Sequence, residues 1–427
     1  MKTILVICPT QRDYREIDNT LLNKQYNFIF QRWNKGAFDE LVVSKDTDCT
    51  RWLEPEAMIN FLVGLCIGEN VDAVVSSDDY PGSVFASIVA ERCGLFGPSP
   101  QSVLLCHHKY YSRCIQKDCI SGATPKFWIV EKNENKISKQ SYCFPFFIKP
   151  VKSSFSVYAQ EIKSLEMLKD YMCKTSLSDI YLSYFNWAVN KYIFSEYDGY
   201  CFLGEEILEG FQVTVDGFVH NGIVKIIGIV DSVMFPGTIS FERFEYPSRL
   251  PNLVQQVMKD IVACVIEKIG LDNTLFNVEC IYNMQTGAIH IIEINPRMSS
   301  QFADLYEKVD GTNSYEIMID IALGISPRVR YRNGKHSVAA SCVLRTFEDK
   351  YVVSLPSKSN IDFVEKIFPG TRIEICAQKD KKLSDIKQDP YSYRYGLIHL
   401  GGRDWIELLK KYQSCLEFLE FLFEPTT

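Results

Sequence analysis

The sequence predicts a mixed α/β and α+β protein of more than one domain, and three observations support this fold class. The 427-residue chain is too long for one ordinary core, so two or three packed domains are expected. Strand-like and helix-like segments alternate up to about Phe96, which favours a parallel sheet covered by helices. From Lys109 to about Ile325 the pattern changes to longer strands and hairpins with fewer helices.

The N-terminal α/β domain opens with an apolar strand at Ile4–Cys8, and a second strand is expected at Asp72–Ser76. A helix is predicted at Gly82–Cys93. The run Gly94–Pro100 is rich in turn-forming residues and marks the end of this part of the chain. The first domain is therefore expected to span residues 1–105.

Two helices are predicted in the second half of the chain. An amphipathic pattern over Asn252–Ile269 stops at Gly270, a favourable residue for ending a helix. A second helix is expected over Asn313–Leu323, closed by Gly324. We set the second boundary there, which gives a central domain of residues 106–325.

The remaining residues, 326–427, predict a small C-terminal α+β domain. Strands are expected at Val338–Leu344 and Arg372–Ala377, and a final helix from about Asp404 to Phe423.

The most informative segment reads as a β-hairpin around the short loop Gln285–Gly287. If Met284 pairs with Ala288, counting back along both strands places Glu279 opposite Glu293. A bulge would shift this pairing.

In the same register, Asn277 and Asn295 share a sheet face with Glu279 and Glu293. Two carboxylates facing each other on a half-buried sheet repel, unless a cation lies between them or one is protonated. Hard oxygen ligands at this density suit Mg²⁺, which completes its octahedron with water and phosphate oxygens. The alternative is that one glutamate points to solvent and has no ligand.

Glu279 and the later run Glu-Ile-Asn-Pro-Arg resemble the metal-binding signature of the ATP-grasp superfamily. The similar branch is that of biotin carboxylase, carbamoyl-phosphate synthetase and bacterial amino-acid ligases. The resemblance covers about residues 72–324 and implies a central ATP-grasp fold of two lobes that hold ATP between them. It implies that Glu279, Glu293 and Asn295 bind Mg²⁺, or Mn²⁺, and bridge it to ATP. It also implies that Arg297 lies beside the reacting groups as the catalytic residue. The alternative is that Arg297 is a structural anchor that pairs with Asp304 or Glu307.

Two lysines complete the expected phosphate site. Lys109 follows a Gly-Pro-Ser turn at the family's spacing, and Lys149 lies in the family's Ile-Lys-Pro pattern. A lysine that ends an apolar strand needs an anion for its ammonium, although it can also reach the surface along its aliphatic stem. Many relatives cover the phosphates with a glycine-rich loop. Here Val151–Val157 contains no glycine, and Ser153 and Ser154 are the expected hydrogen-bond donors.

The adenine end of the site is expected where the sequence resembles the family's hinge. Glu205, Glu206 and Leu208 match the positions whose side chain and backbone meet the adenine amino edge. The alternative is an exposed acidic pair at the end of a strand.

The resemblance implies an ADP-forming ligase in which ATP phosphorylates a carboxylate and an amine or thiol attacks the acyl phosphate. One alternative is a biotin-dependent carboxylase-type subunit that makes carboxyphosphate. It would need a separate carrier, because the chain has no biotinyl-lysine motif. The other is an ATP-binding regulatory protein with reduced catalysis. The aromatic-rich loop Phe235–Arg249 is expected at the acceptor site, where Arg249 either holds a substrate carboxylate or is a surface residue.

Composition restricts the partners. The formal net charge of −7 argues against nucleic acid, so small-molecule substrates are expected, with a homodimer as a further possibility. The 15 scattered cysteines contain no C-x-x-C pair and predict free thiols in a reducing compartment. No apolar run predicts a membrane span, and we expect a cytoplasmic protein. The adjacent His107 and His108 point in different directions on a helix and are not expected to share a metal.

Overall fold

The computed structural model describes residues 1–32, 54–133, 137, 142–154, 156–193, 196–385 and 392–426. The N-terminal part forms a three-stranded sheet in the order β2–β1–β3, with both pairings parallel as the sequence predicts. Alternate residues of β1 enter two different cores, because both faces of the sheet are covered. The strands are β1 (Thr3–Ile7), β2 (Asn27–Gln31) and β3 (Ala73–Val75), and the helices are α1 (Gln11–Asn19), α2 (Pro55–Gly68) and α3 (Gly82–Cys93).

A four-stranded antiparallel sheet follows, in the order β4–β7–β5–β6. Three helices of this region begin after a serine whose hydroxyl accepts a hydrogen bond from a backbone N–H of the first turn, namely Ser99, Ser164 and Ser178. The strands are β4 (Phe127–Val130), β5 (Phe146–Pro150), β6 (Gln160–Ile162) and β7 (Phe202–Glu205), and the helices are α4 (Pro100–His107), α5 (Lys109–Ile120), α6 (Leu165–Lys174) and α7 (Asp179–Tyr192).

An eight-stranded antiparallel sheet forms the largest layer, in the order β12–β11–β8–β9–β10–β13–β16–β15. The sequence predicts the last domain boundary at residue 325. This sheet contains strands from both sides of that residue, since β10 pairs with β13. The strands are β8 (Phe211–His220), β9 (Ile223–Met234), β10 (Phe241–Tyr246), β11 (Thr274–Tyr282), β12 (Ile289–Asn295), β13 (Val338–Thr346), β15 (Arg372–Ile375) and β16 (Tyr393–Gly402); β14 (Lys350–Ser354) and β17 (Leu422–Pro425) pair separately.

The two faces of the large sheet differ in chemistry along β8 and β11. Val213, Val215 and Val278 are fully buried and belong to the same core as Val262 of helix α8. Residues between them point to the opposite face, since side chains alternate along a strand, and that face is polar. The remaining helices are α8 (Asn252–Ile269), α9 (Ala303–Asp310), α10 (Ser314–Ala322), α11 (Lys358–Ile367) and α12 (Trp405–Phe418).

The β11–β12 hairpin starts in a different register from the predicted one. The pairing nearest the turn is Tyr282 with Ile289, which is offset by one residue from a register that pairs Met284 with Ala288. The turn is longer than predicted, and Gly287 adopts a positive φ of 74° at its end.

A bulge then corrects this offset. Ile292 is an extra residue on β12, and beyond it Glu279 lies opposite Glu293. The carbonyl oxygen of Ile292 accepts a hydrogen bond of 2.8 Å from Nη2 of Arg113. The predicted pairing of the two glutamates is therefore confirmed, although the chain reaches it by a different route.

The helices predicted at Gly82–Cys93 and Asn252–Ile269 are confirmed. The prediction that the last helix runs to Phe423 is wrong. Asp404 caps α12, but the helix ends at Phe418 and Leu422–Pro425 forms β17. The apolar residues at the end of the chain alternate as in a strand, and they pair with β14. No helix in the described ranges is long and apolar enough to cross a membrane.

Candidate active site

Two rows of polar residues cross β8, β11 and β12 on the sheet face turned away from α8. Each row is set by direct cross-strand pairing, so its three side chains lie next to one another. The first row consists of Thr214, Glu279 and Glu293, and the second of Asp216, Asn277 and Asn295.

The first row brings together the two predicted metal-binding carboxylates. Burial, and then the facing charge of Glu293, raise the pKa of Glu279 to about 7. The Nε2 of Gln212 donates a hydrogen bond of 3.0 Å to Oε2 of Glu279. Ionising two facing carboxylates requires positive charge nearby, so the pair fits a divalent cation.

Lys109 lies beside this pair at the start of α5. Its Nζ is 2.9 Å from Oε1 of Glu293 and donates a hydrogen bond of 3.0 Å to the carbonyl oxygen of Ser153. Its backbone N–H donates to the carbonyl oxygen of Val151. Lys109 is 6% exposed, so its charge is directed at the first row and at the loop after β5 rather than at solvent.

Lys149 ends β5 and is buried with two charged neighbours. Its Nζ lies 2.5 Å from Oε1 of Glu205, and Arg113 donates to Oε2 of the same carboxylate at 3.1 and 3.0 Å. Burial alone would raise the pKa of Glu205, but these two cations hold it below its ordinary value. Burial lowers the pKa of Lys149 and Glu205 opposes that effect. Both oxygens of Glu205 therefore contact cations, one the ammonium of Lys149 and the other the guanidinium of Arg113.

The predicted hinge connects the four-stranded and eight-stranded sheets. Glu206 exchanges two hydrogen bonds with Lys126, one through its backbone N–H and one through its Oε1. Leu208 is half-buried on the same connection. The backbone through these residues runs between the two sheets that border the site.

The loop after β5 is anchored by buried side chains. Lys152 is 1% exposed, and its Nζ lies 3.2 Å from Oδ2 of Asp79 and 3.0 Å from Nδ1 of His107. The hydroxyl of Ser154 donates to the same Asp79 oxygen at 3.3 Å. Ser153 is buried and contacts Lys109 through its carbonyl oxygen. Phe155 of this loop lies outside the described residues.

Arg297 also contacts Asp79, which follows β3 of the N-terminal sheet. The Nε of Arg297 is 3.2 Å from Oδ1 of Asp79, and Nη1 donates to the carbonyl oxygen of Met298. Burial alone would raise the pKa of Asp79, but Lys152, His107 and Arg297 hold it well below its ordinary range. Asp79 therefore joins the N-terminal sheet to the loop after β5 and to the arginine after β12.

Other residues considered as binding groups have separate contacts. The His107 ring lies 2.8 Å from the hydroxyl of Ser83, whereas the His108 ring contacts the carbonyl oxygen of Tyr197, so the two rings share no ligand position. Arg249 is half-exposed, and its Nη2 lies 2.6 Å from a carboxylate oxygen of Glu245.

The structure brings together most of the predicted site residues. Among the described residues no three His, Cys, Asp or Glu form a metal-binding group, so the candidate set is two carboxylates and the Asn295 amide. Mg²⁺ commonly takes few protein ligands and completes its shell with phosphate and water, so this set fits it.

Three contributors were missed from the sequence. Arg113 lies four residues after Lys109 on α5, a spacing that places both on one helix face. Asp79 follows the carboxyl end of a parallel strand, where ligands of such sheets are commonly bound. Asp216 has the parity of Thr214 and so shares its face. The spacing, strand-end position and parity of these residues could be read from the sequence, but none of these features specifies which side chain the residue contacts.

Residues 142–305, which include both polar rows, match the family model described as the ATP-grasp domain. The sequence of the carbamoyl phosphate synthase large chain from Xylella fastidiosa is 29% identical over 171 residues. That match covers 40% of this chain and 14% of the relative, so the chain spans about a seventh of the length of the curated protein it matches.

Solved structures share the fold over nearly the whole chain. The L-amino acid ligase from Bacillus licheniformis superposes with a TM-score of 0.73 at 14% identity, covering 99% of each chain. The biotin carboxylase domain of 2-oxoglutarate carboxylase from Hydrogenobacter thermophilus, solved with MgADP, ADP and bicarbonate, gives 0.66 at 14% identity and covers 98% of this chain and 90% of that one. These likenesses show the mixed α/β fold with its large antiparallel sheet.

Proposed function

We propose that this protein is an ATP- and Mg²⁺-dependent ligase that joins a carboxylate to an amine or a thiol and releases ADP and phosphate. The observation that carries the proposal is the first polar row, where Glu279 and Glu293 face each other within reach of Lys109. Paired carboxylates and lysines are the groups needed to hold a metal–polyphosphate.

The nucleotide is proposed to lie between the two sheets. The connection through Glu206 and Leu208 meets the adenine edge, and Lys109 and Lys149 contact the phosphates. Ser153 lies next to Lys109 at the phosphate end, where its carbonyl oxygen accepts a hydrogen bond from the Lys109 ammonium. Glu205 takes part indirectly, because it holds the ammonium of Lys149.

The metal is assigned to Glu279, Glu293 and Asn295. When bound, Mg²⁺ neutralises charge on the phosphates during phosphoryl transfer. The chain's own residues orient the reactants: the lysines fix the polyphosphate, and Arg297 presents its guanidinium beside the row. A fork of donors at this position suits both the substrate carboxylate and the transferred phosphoryl group.

The proposed reaction has two steps. A carboxylate oxygen of the acid attacks the γ-phosphorus, the bond to the β–γ bridging oxygen breaks, and ADP leaves. An amine or thiol then attacks the acyl carbon, loses its proton, and inorganic phosphate leaves with the electron pair of the carbon–oxygen bond. Both the L-amino acid ligase and the carboxylase domain that share this fold have names that fit activation of an acid.

Trapping the intermediate tests this proposal. The protein is incubated with ATP, Mg²⁺ and hydroxylamine in the presence of single L-amino acids, with bicarbonate in a separate arm. We expect one class of acid to yield a hydroxamate together with ADP in equal amounts. Stimulation by bicarbonate alone would favour carboxyphosphate formation, whereas AMP and pyrophosphate would rule out the acyl phosphate.

Arg297→Met is the matched variant for this assay. It should abolish the hydroxamate while ATP still binds, because Arg297 is assigned to the reacting end and not to the nucleotide. Arg403→Met is the control, because Arg403 is exposed and contacts Glu407 far along the chain from the polar rows. Hydroxamate formation at the wild-type rate in Arg297→Met would contradict the assignment.

A further inference from the structure

The second polar row contains a chain of hydrogen bonds that ends at Asn295. Asn295 donates through Nδ2 to Oδ1 of Asn277 at 3.3 Å, and Asn277 donates through Nδ2 to Oδ1 of Asp216 at 2.6 Å. Asp216, Asn277 and Asn295 are each no more than 5% exposed. The row runs parallel to the row of Glu279 and Glu293 on the same face.

The carboxylate of Asp216 sets the direction of these hydrogen bonds. An ionised carboxylate only accepts hydrogen bonds, so Asn277 must present its NH₂ group to Asp216 and its oxygen to Asn295. Asn295 must then present its own NH₂ group to Asn277. Its Oδ1 is consequently the branch turned away from Asn277, and an amide oxygen is the atom that a hard cation binds.

Asp216 is held as an acceptor from its other side as well. The hydroxyl of Tyr306 donates to Oδ2 at 2.8 Å. Burial raises the pKa of Asp216 to about 7, while the bonds from Tyr306 and Asn277 act to lower it. Both oxygens therefore receive a donor, which is the arrangement that the ionised form requires.

Gly228 makes room for the tyrosine. It pairs with Asp216 on the next strand, and a Cβ at this position would lie 2.9 Å from Cε1 of Tyr306 and 2.6 Å from Cε2 of Tyr246. Any side chain at 228 would displace the rings that close the row. The sheet is thus built to let Tyr306 reach Asp216.

We propose that Asp216 is a positioning residue of the metal site, which acts through Asn277 to turn the amide oxygen of Asn295 towards the cation. This inference rests on the proposed function, because it assumes that Asn295 is a metal ligand. Asp216 touches neither metal nor nucleotide. Outer partners of this kind typically change metal affinity by about 10–100-fold when they are removed.

Metal affinity in the ADP complex tests the proposal directly. Mn²⁺ serves as the probe because its paramagnetic resonance signal reports free ion, and pH 8 keeps Asp216 ionised. Asp216→Asn preserves the shape of the side chain but no longer dictates the amide direction. We expect about tenfold weaker Mn²⁺ binding or more, with ADP affinity in EDTA unchanged.

Two variants separate positioning from a general effect on packing. Asp310→Asn is the matched control, because Asp310 is also buried and also accepts from a tyrosine, Tyr246, at 2.6 Å. It should leave Mn²⁺ affinity unchanged. The swap Asp216→Asn/Asn277→Asp should restore most of the lost affinity, because a carboxylate at 277 again forces Asn295 to present its NH₂ group.

The outcomes distinguish failure of the proposed function from failure of the positioning role of Asp216. If wild-type protein binds Mn²⁺ no more tightly with ADP than without it, the proposed function fails. If wild type binds Mn²⁺ strongly and Asp216→Asn binds it equally well, only the positioning role fails. Should Asp216→Asn not fold, Asn277→Ala interrupts the same chain, and unchanged Mn²⁺ affinity in that variant overturns the proposal.

Discussion

The two lysines of the site are paired with carboxylates of different character. Lys149 and Glu205 are both buried, and Arg113 contacts the same carboxylate, so this pair is a fixed part of the core. The partner of Lys109 is Glu293, whose side chain is 28% exposed on the edge strand β12. Glu293 is therefore the more accessible of the two carboxylates, and a metal can approach it from the solvent side.

This difference predicts the behaviour of Glu293→Gln. The variant should fold normally, because the side chain is partly exposed and glutamine has the same shape. Loss of a direct ligand should reduce Mg²⁺-dependent turnover by more than the roughly 10–100-fold expected for an outer partner. The measurement is ADP release over a range of Mg²⁺ concentrations.

Glu161→Gln is the control for this prediction. Glu161 lies on β6 in the other sheet and contacts only Lys163 among the ion pairs of the described residues. It should show the Mg²⁺ dependence of the wild type. Wild-type activity of Glu293→Gln at low Mg²⁺ would remove this residue from the metal site.

At the scale of elements, the loop after β5 replaces glycine mobility with buried anchors. The Nζ of Lys152 contacts Asp79 and His107, so its charge holds the loop against the N-terminal part of the chain. Ser156, just beyond the anchored part, has a positive φ of 54°, a conformation that glycine adopts more easily. The loop thus combines a glycine-like backbone conformation at Ser156 with buried side-chain contacts at Lys152.

Removing the anchor should loosen this loop. A hydrogen bond to a charged group contributes about 1.5–3 kcal/mol, so Lys152→Met should speed amide hydrogen exchange in residues 151–154 by roughly tenfold to a hundredfold. Exchange followed by mass spectrometry measures this directly. Lys163→Met, at a lysine that is 70% exposed, is the control. Unchanged exchange in Lys152→Met would mean that backbone contacts alone hold the loop.

The elements show which parts of the site local sequence can predict. Parity and turn spacing predict Glu279 opposite Glu293, and this pairing is observed because the bulge at Ile292 offsets the one-residue difference in register at the turn. The ion pairs of Glu205 with Lys149 and Arg113 were not predicted, because these partners come from elements distant in the chain. The alternation of residues along a strand specifies which face of the sheet a residue occupies, whereas packing between elements determines which side chains it contacts.

At the scale of the whole molecule, a charged network joins helix α1, helix α9 and strand β15. Arg372 on β15 donates to both oxygens of Glu16 on α1, at 3.0 and 2.9 Å, across 356 residues of chain. It also lies 2.8 Å from Asp304 and 3.1 Å from Glu307 on α9. No local pattern in the sequence indicates this junction, because each partner lies on an ordinary amphipathic element.

The network predicts a stability effect that is separate from catalysis. Glu16 and Asp304 are almost fully buried, so Arg372→Met leaves their negative charges without the cation that balances them. Breaking a buried pair by removing one partner typically costs about 3–5 kcal/mol. Because Arg15 and Lys308 still contact these carboxylates, the lower end of that range is expected, seen as a lower urea midpoint. Arg403→Met, at an exposed surface pair, should leave the midpoint unchanged. Equal urea midpoints for Arg372→Met and the wild type would show that the junction contributes no stability, and that packing of the apolar cores alone holds the three parts together.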